Sequence, residues 1–267
     1  MEYVNHFILF FVGASFGSFI NLASFRMPKN KSIIFPNSFC DKCKKPLNWH
    51  QKIPILSQIF LNNICKTCGF KVPIKYTFIE IFLGSIFVIN LYSKNYFFSS
   101  DRFIDLTIKS IFVSILLLIS LIDIYTLTIP NKLNLFSYLI GVFILIFFSI
   151  NSFQIDVIIC RLLFSILSIV LLELISYIYF TVRKKIPFGS GDSKLLSVFV
   201  IWLGIEGMLL SLMTSIYLAG IYILINYFKG SFKNDRIPFG PFLCLGAYLF
   251  LLSGPEILSR ILFISIN

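Results

Sequence analysis

An all-α polytopic membrane protein is the fold class this sequence predicts, with about eight transmembrane helices and a cytoplasmic zinc-binding loop domain between helices 1 and 2. Three observations carry that expectation. Hydrophobic residues make up 57% of the 267 and charged residues only 13%, with a mean hydropathy of +0.89. A soluble domain of this length lacks the interior to hide so much apolar surface. The apolar residues come in runs close to the ~20 that a helix needs to cross about 30 Å of hydrocarbon. The basic residues concentrate in alternate loops between those runs.

The runs lie at about 5–25, 76–93, 103–122, 133–150, 157–180, 193–204, 207–228 and 240–263. The first begins almost at once, after Glu2 and no basic residue, and it is long enough to span, so no cleavable signal peptide is expected. The sixth is short, and a turn at Gly204-Ile205-Glu206-Gly207 separates it from the seventh. Most of the 23 Lys and Arg residues fall in the segments 26–75, 123–132, 181–194 and 229–239, and the opposite loops hold only Lys94 and Arg102. The positive-inside rule then puts the basic loops in the cytoplasm and both termini outside. It also accounts for the net charge of +11 without nucleic acid as a partner.

The loop after the first run carries "CDKC" (Cys40, Cys43) and "CKTC" (Cys65, Cys68), a C-x2-C-x21-C-x2-C pattern. Each C-x2-C turn aims two thiolates at one ion, and two turns complete a tetrahedron. Gly69, directly after the second pair, suits a tight knuckle. Cytoplasmic thiols stay reduced, which argues for structural zinc over disulfides. A redox-sensitive or metal-free loop is the alternative. His50, between the pairs, reads as a surface imidazole, and Cys160 and Cys244, inside runs, read as packing residues.

Several of the twelve acids lie inside or at the edge of runs, where a charge at mid-bilayer costs about 2.5–3.5 kcal/mol on insertion scales. Asp105, Glu206 and Glu256 sit near outer turns and are expected to be solvated, and Glu173, deep in the fifth run, to make a helix–helix hydrogen bond. Glu80, one turn into the second run, is either an ordinary interfacial acid or a pocket residue. Asp123 and Asp192 differ. Asp123 closes the third run in "LIDIYTLTIPNKL", where Pro130 breaks the chain and Asn131 can cap the next helix. Asp192 opens the sixth run in "GSGDSKLL". Two carboxylates thus reach one depth from different helices. At about 4 Å and an effective dielectric near 20 they repel by about 4 kcal/mol, so the pair would keep a single proton. One oxygen could then deprotonate a bound water while another protonates the leaving group, which is amide hydrolysis without a covalent intermediate. Gly189 and Gly191 would let backbone and substrate approach. Taken alone, a G-x-G-D segment equally suits an N-terminal helix cap. No serine–histidine arrangement and no P-loop is present, and "IPFG" occurs twice, at Ile186–Gly189 and Ile237–Gly240. An ion-coupled transporter and a non-catalytic zinc-bearing scaffold are the competing readings. Transporter acids are expected nearer mid-membrane on broken helices.

In order along the chain, "GASFGSFINLASFRMP" (Gly13–Pro28), the two C-x2-C pairs, "PIKYTFIEI" (Pro73–Ile81), "LIDIYTLTIPN" (Leu121–Asn131), "GSGDSKLL" (Gly189–Leu196) and "IPFGPFLCLG" (Ile237–Gly246) resemble the prepilin peptidase family, the G-x-G-D aspartic leader peptidases. The resemblance implies that Asp123 and Asp192 are the catalytic pair, supported by Gly189, Gly191 and Lys194. It implies type IV prepilins or pseudopilins as substrates, cut after Gly at the cytoplasmic face of the bacterial inner membrane. Many members also N-methylate the new terminal residue with S-adenosylmethionine, an activity associated with the N-terminal portion, where Glu80 is a possible methyl-transfer or substrate-pocket residue. The expected division is 1–93, holding the first two spans and the four-cysteine zinc loop at about 26–75, and 94–267, the membrane-embedded peptidase core.

Overall fold

In lipid every backbone N–H and C=O must find its partner within the segment, so apolar runs of this length become helices. The computed structural model describes the chain apart from residues 1, 36–37, 41, 47–52, 56, 58–63, 66, 71–72, 94–97, 100, 152–153, 185–188, 231–236 and 262–267. Among the described residues the elements are α1 (Glu2–Arg26), α2 (Lys75–Tyr92), α3 (Arg102–Thr126), α4 (Asn131–Asn151), α5 (Ile155–Arg183), α6 (Ser190–Phe228) and α7 (Gly240–Ile261), with a 3-10 turn at Met27–Lys29. No strand is present among them, only an isolated bridge between Phe39 and Pro46. Helices α1 to α6 are long and apolar enough to cross a membrane, and Gly240–Gly254 is a shorter apolar helix. The protein is therefore a multi-pass membrane protein.

The eight expected spans map onto these seven helices because α6, 39 residues long, carries two of them. Gly204 takes φ 79° and ψ 177° and breaks α6 where the sequence places a turn. That backbone region is open to glycine at no steric cost.

The chain forms two compact units, Met1–Tyr92 and Ser93–Asn267. In the first, α1 lies close against α2. A Cβ on Gly13 would come within 2.9 Å of the Gly84 Cα, so these helices approach backbone to backbone. In the second, α6 and α7 pack together, α3 packs on α7, and α4 and α5 pack on α6. Its core is aromatic and aliphatic. Phe112 of α3 stacks on Trp202 of α6 at 4.5 Å between ring centres, with Phe199, Leu195 and Leu196 fully buried nearby. Asp101 caps α3 by accepting from the amides of Phe103 and Ile104, and Leu127, in the left-handed conformation, ends it.

Two sequence expectations change here. Asp105 is not solvated: it is 3% exposed, and its Oδ2 lies 2.6 Å from the Lys109 Nζ, one helical turn on. Lys109 also donates to Ser93 Oγ at 2.9 Å, and the Phe98 amide donates to Asp105 Oδ1 at 2.9 Å. A buried charge is tolerable only with such partners. Glu173 makes no interhelical hydrogen bond among the described residues. It is exposed on α5, whose outer face is a continuous apolar surface. Glu206 is exposed, Cys244 is buried and Cys160 is exposed on α5. His50 and the side chain of Glu256 lie outside the described residues.

Candidate active site and metal site

Asp123 stands in the last turn of α3 and Asp192 in the first turn of α6. The chain turns sharply after Asp123 because Leu127 donates its amide to the Asp123 carbonyl at 2.8 Å and Pro130 follows. The Asp123 side chain is 5% exposed, and its Oδ2 accepts the Gly240 amide at 2.9 Å. Gly189 is the N-cap of α6, and Asp192 is the third residue inside. The Asp192 carboxylate accepts from the Gly189 amide, while the Asp192 amide donates to the Gly189 carbonyl at 3.0 Å. That is half of a capping box: the acid at the third helical position reaches back to the N-cap amide, and the glycine there has no side chain to return the bond. The charges of Asp123 and Asp192 interact, and both act on the buried thiol of Cys244 in α7. Two interacting carboxylates of unequal exposure are the components of general acid–base chemistry on a bound water.

The repeated "IPFG" finds a use. Its last residues, Gly189 and Gly240, each start a helix, and each gives its amide to one of the two acids. A Cβ on Gly240 would sit 2.7 Å from Asp123 Oδ2, and one on Gly189 would sit 3.1 Å from Asp192 Oδ2. Ile186–Phe188 lie outside the described residues. Gly240 is absent from the sequence-derived site because it has no chemical side chain, although the repeat is the available signal. Gly191 offers its carbonyl to the Asn134 side-chain amide at 3.2 Å. Asn134, also unforeseen, is 3% exposed, and its Oδ1 has no partner among the described residues. Lys194 donates to Asn131 Oδ1 at 3.0 Å, tying the start of α6 to the start of α4 rather than to either acid.

In the first unit the two cysteine turns share one hydrogen-bond pattern. The Cys40 amide donates to the Lys45 carbonyl and the Lys44 amide to the Cys40 carbonyl, at 3.0 and 2.9 Å. The Cys65 amide donates to the Phe70 carbonyl and the Gly69 amide to the Cys65 carbonyl, both at 2.9 Å. Lys44 and Gly69 hold the matching left-handed positions, at φ 58° and 67°. The Sγ atoms of Cys40, Cys43, Cys65 and Cys68 all lie within 4.8 Å of one another, so the cluster could hold a metal ion. Amides of Thr67 and Cys68 pull the Cys65 thiol down to about 6. The Phe70 amide also pulls on Cys68, but burial and the neighbouring sulfurs outweigh it and push that thiol up to about 11. Glu80, in α2, is 5% exposed and accepts from the Ile55 amide at 2.8 Å and from Ser18. Ile55 adopts φ 62°, a costly conformation for a β-branched residue.

Residues 11–94 match the profile of the bacterial peptidase A24 N-terminal domain, and residues 110–224 match that of the type IV leader peptidase family. The chain is 27% identical over 256 residues to a prepilin leader peptidase/N-methyltransferase of Bacillus subtilis, covering 94% of this chain and 96% of that one. It is 31% identical over 237 residues to the protein so named in Legionella pneumophila, covering 85% and 76%. It is 27% identical over 206 residues to that of Klebsiella pneumoniae, covering 75% and 86%. No solved structure matches.

Proposed function

The chain belongs to the type IV leader peptidase family, and on that premise we propose that it is an aspartic endopeptidase that removes the short basic leader of type IV prepilins or pseudopilins, cutting after Gly at the cytoplasmic membrane face. The observation that carries this reading is the pair of carboxylates at Asp123 and Asp192, each held by the amide of a helix-starting glycine. Both stand at helix ends rather than mid-helix, which favours hydrolysis over ion transport. One carboxylate holds a proton and the other takes one from a bound water. The hydroxide formed attacks the scissile carbonyl carbon. Collapse of the tetrahedral intermediate breaks the C–N bond, and the protonated acid delivers its proton to the departing amine. Gly189 keeps the space beside the Asp192 carboxylate free of a side chain, and Gly191 lets the start of α6 close against Ile129.

Zinc suits the cysteine cluster. Zn–S bonds of about 2.3 Å in a tetrahedron separate the sulfurs by about 3.8 Å, and Cys40 Sγ and Cys68 Sγ are 3.7 Å apart. Four sulfurs would close the coordination sphere, so the role of such an ion is structural. Methyl transfer to the new N-terminus is assigned to the first unit. S-adenosylmethionine would supply an electrophilic methyl group there. Glu80 offers a buried carboxylate for the positive charge of the sulfonium or of the new ammonium. Co-expression with a candidate prepilin, followed by mass analysis of its mature N-terminus, tests both activities. The expected product begins after the leader Gly and carries one added methyl. An unprocessed prepilin in cells that hold the folded protein would refute the peptidase reading.

A further inference from the structure

A cavity of about 160 Å³ lies in the second unit, away from both acids, between α4, α5 and the first half of α6. Its wall includes Gly141, Phe148, Ser149, Gln154, Arg161 and Trp202. Trp202 is ten residues beyond Asp192, so the two lie about 15 Å apart along the helix. The first half of α6 ends at the Gly204 break, about 20 Å from its start and short of the ~30 Å of a bilayer core. Arg161 occupies that end. Its Nη1 donates to the Ile201 carbonyl at 3.0 Å and the Trp202 carbonyl at 3.5 Å, and its Nη2 and Nε lie over Gly204.

Capping those carbonyls uses only one edge of the guanidinium. Arginine has five N–H donors and keeps its charge in any surroundings. Nε and Nη2 make no hydrogen bond among the described residues, and no carboxylate there pairs with Arg161. The two carbonyls answer part of that charge, and an anion on the open edge would answer the rest. The cavity beside it offers a place for one, and exposed Gln154 in its wall connects it to the surface. Gln154 stands in the turn joining α4 to α5, and Arg161 is about 9 Å along α5 from that turn. That is the depth at which arginine snorkels toward headgroups. Apolar residues of the same two helices, Phe147, Ile150, Ile159 and Leu163, are exposed beside it. They offer a surface for acyl chains.

We propose that this cavity binds a phosphate oxyanion, with Arg161 as its cationic partner, and that in the membrane the phosphate is the headgroup of an anionic phospholipid. The guanidinium presents parallel N–H donors to two phosphate oxygens.

The test is native mass spectrometry of the full-length, delipidated protein with phosphatidylglycerol, with phosphatidylcholine and with inorganic phosphate. One phosphatidylglycerol should be retained, at least tenfold more tightly than phosphatidylcholine. Arg161→Gln should lose that preference. Val157→Phe, which fills the cavity and leaves the carbonyl contacts of Arg161 in place, should lose it too, even if Arg161→Gln fails to fold. Leader cleavage should persist in Val157→Phe. Tight inorganic phosphate lost in the same variants, without lipid preference, would support the oxyanion site and reassign its source. Equal retention of phosphatidylglycerol by wild type and Val157→Phe, or no binding of either phosphate species, overturns the proposal.

Discussion

The four cysteines and the two aspartates are assembled by opposite routes. Each cysteine turn closes on itself, through hydrogen bonds spanning four or five residues, such as Cys40 to Lys45 and Cys65 to Phe70. The Asp123 carboxylate is fixed by Gly240, 117 residues away, and the start of α6 is tied to Asn134, 57 residues from Gly191. The first site is a property of short peptides brought together. The second exists only once α3, α6 and α7 have packed. A local site should therefore fail alone when its own residues change. A site built from distant helix ends should fail whenever the packing beneath it shifts.

The largest effect is expected at the acids. Asp123→Asn and Asp192→Asn each keep the volume and remove the carboxylate, so leader cleavage should fall by at least about 10³-fold while the protein still inserts. The metal content of the cysteine cluster should not change. Near-normal processing by either variant would remove that residue from the pair, and loss of metal from either would break the contrast between the two sites.

Cys40→Ser should do the reverse. Metal content should fall to background and the loop between α1 and α2 lose its order by hydrogen exchange, while leader cleavage continues and methylation drops. Acidification sharpens the point. The Cys65 thiol, held down at about 6, is a thiolate above that pH and is protonated as pH falls through it. Protons therefore compete with metal less at Cys65 than at Cys68 at neutral pH, and metal affinity should fall as pH drops. In metal-free protein, Cys65 should be the first of the four to be alkylated at pH 7, and Cys68, pushed up to about 11, the last. Alkylation followed by peptide mapping reads this order. Equal rates would show that the hydrogen bonds to the two sulfurs do not distinguish them.

Gly240→Ala comes next. The added methyl would meet Asp123 Oδ2 and Cγ at 2.7 and 3.1 Å, so the carboxylate or α7 must move. Overpacking of this kind costs about 1–3 kcal/mol. Cleavage should drop by about tenfold or more, since a misplacement of 1 Å can cost about 100-fold. Thermal melting and cleavage rates of the detergent-solubilised protein measure both. Unchanged cleavage would mean that the Gly240 amide does not position Asp123.

The same contrast explains what the sequence reveals. The cysteine spacing is legible because ligands a few residues apart are close in any fold. The runs and the break at Gly204 are legible because the bilayer fixes helix length and because a short run meets a Gly-x-x-Gly turn. The acids stand out through their depth, inferred from charge in the loops. Gly240 and Arg161 escape such reading because their partners are a distant carboxylate and backbone carbonyls, and neither leaves a periodic trace. Asp105 is misread because depth alone says water. The Lys109 partner one turn away is written in the sequence, but depth weighs each residue singly.

The smallest effect separates the two cysteine turns. Gly69 sits at φ 67° with open space around its Cβ position, so Gly69→Ala meets no clash and costs only the left-handed conformation, roughly 1 kcal/mol. Lys44 already occupies the matching position at φ 58° and bears that cost. Lys44→Gly would relieve it. The same change gives up about 0.5–1 kcal/mol of backbone entropy and about 0.5–1 kcal/mol of attraction between the Lys44 ammonium and the Phe39 ring. That ammonium lies 5.3 Å from the Phe39 ring centre. These terms leave Lys44→Gly between no change and a loss of about 1 kcal/mol. Metal affinity measured by chelator competition should therefore fall about fivefold in Gly69→Ala, and in Lys44→Gly it should not rise and should fall by no more than about fivefold, taking 1.4 kcal/mol as tenfold. A gain of about twofold in Lys44→Gly would mean that the Lys44–Phe39 contact contributes nothing, and that the first turn is held by its backbone alone, as the second is.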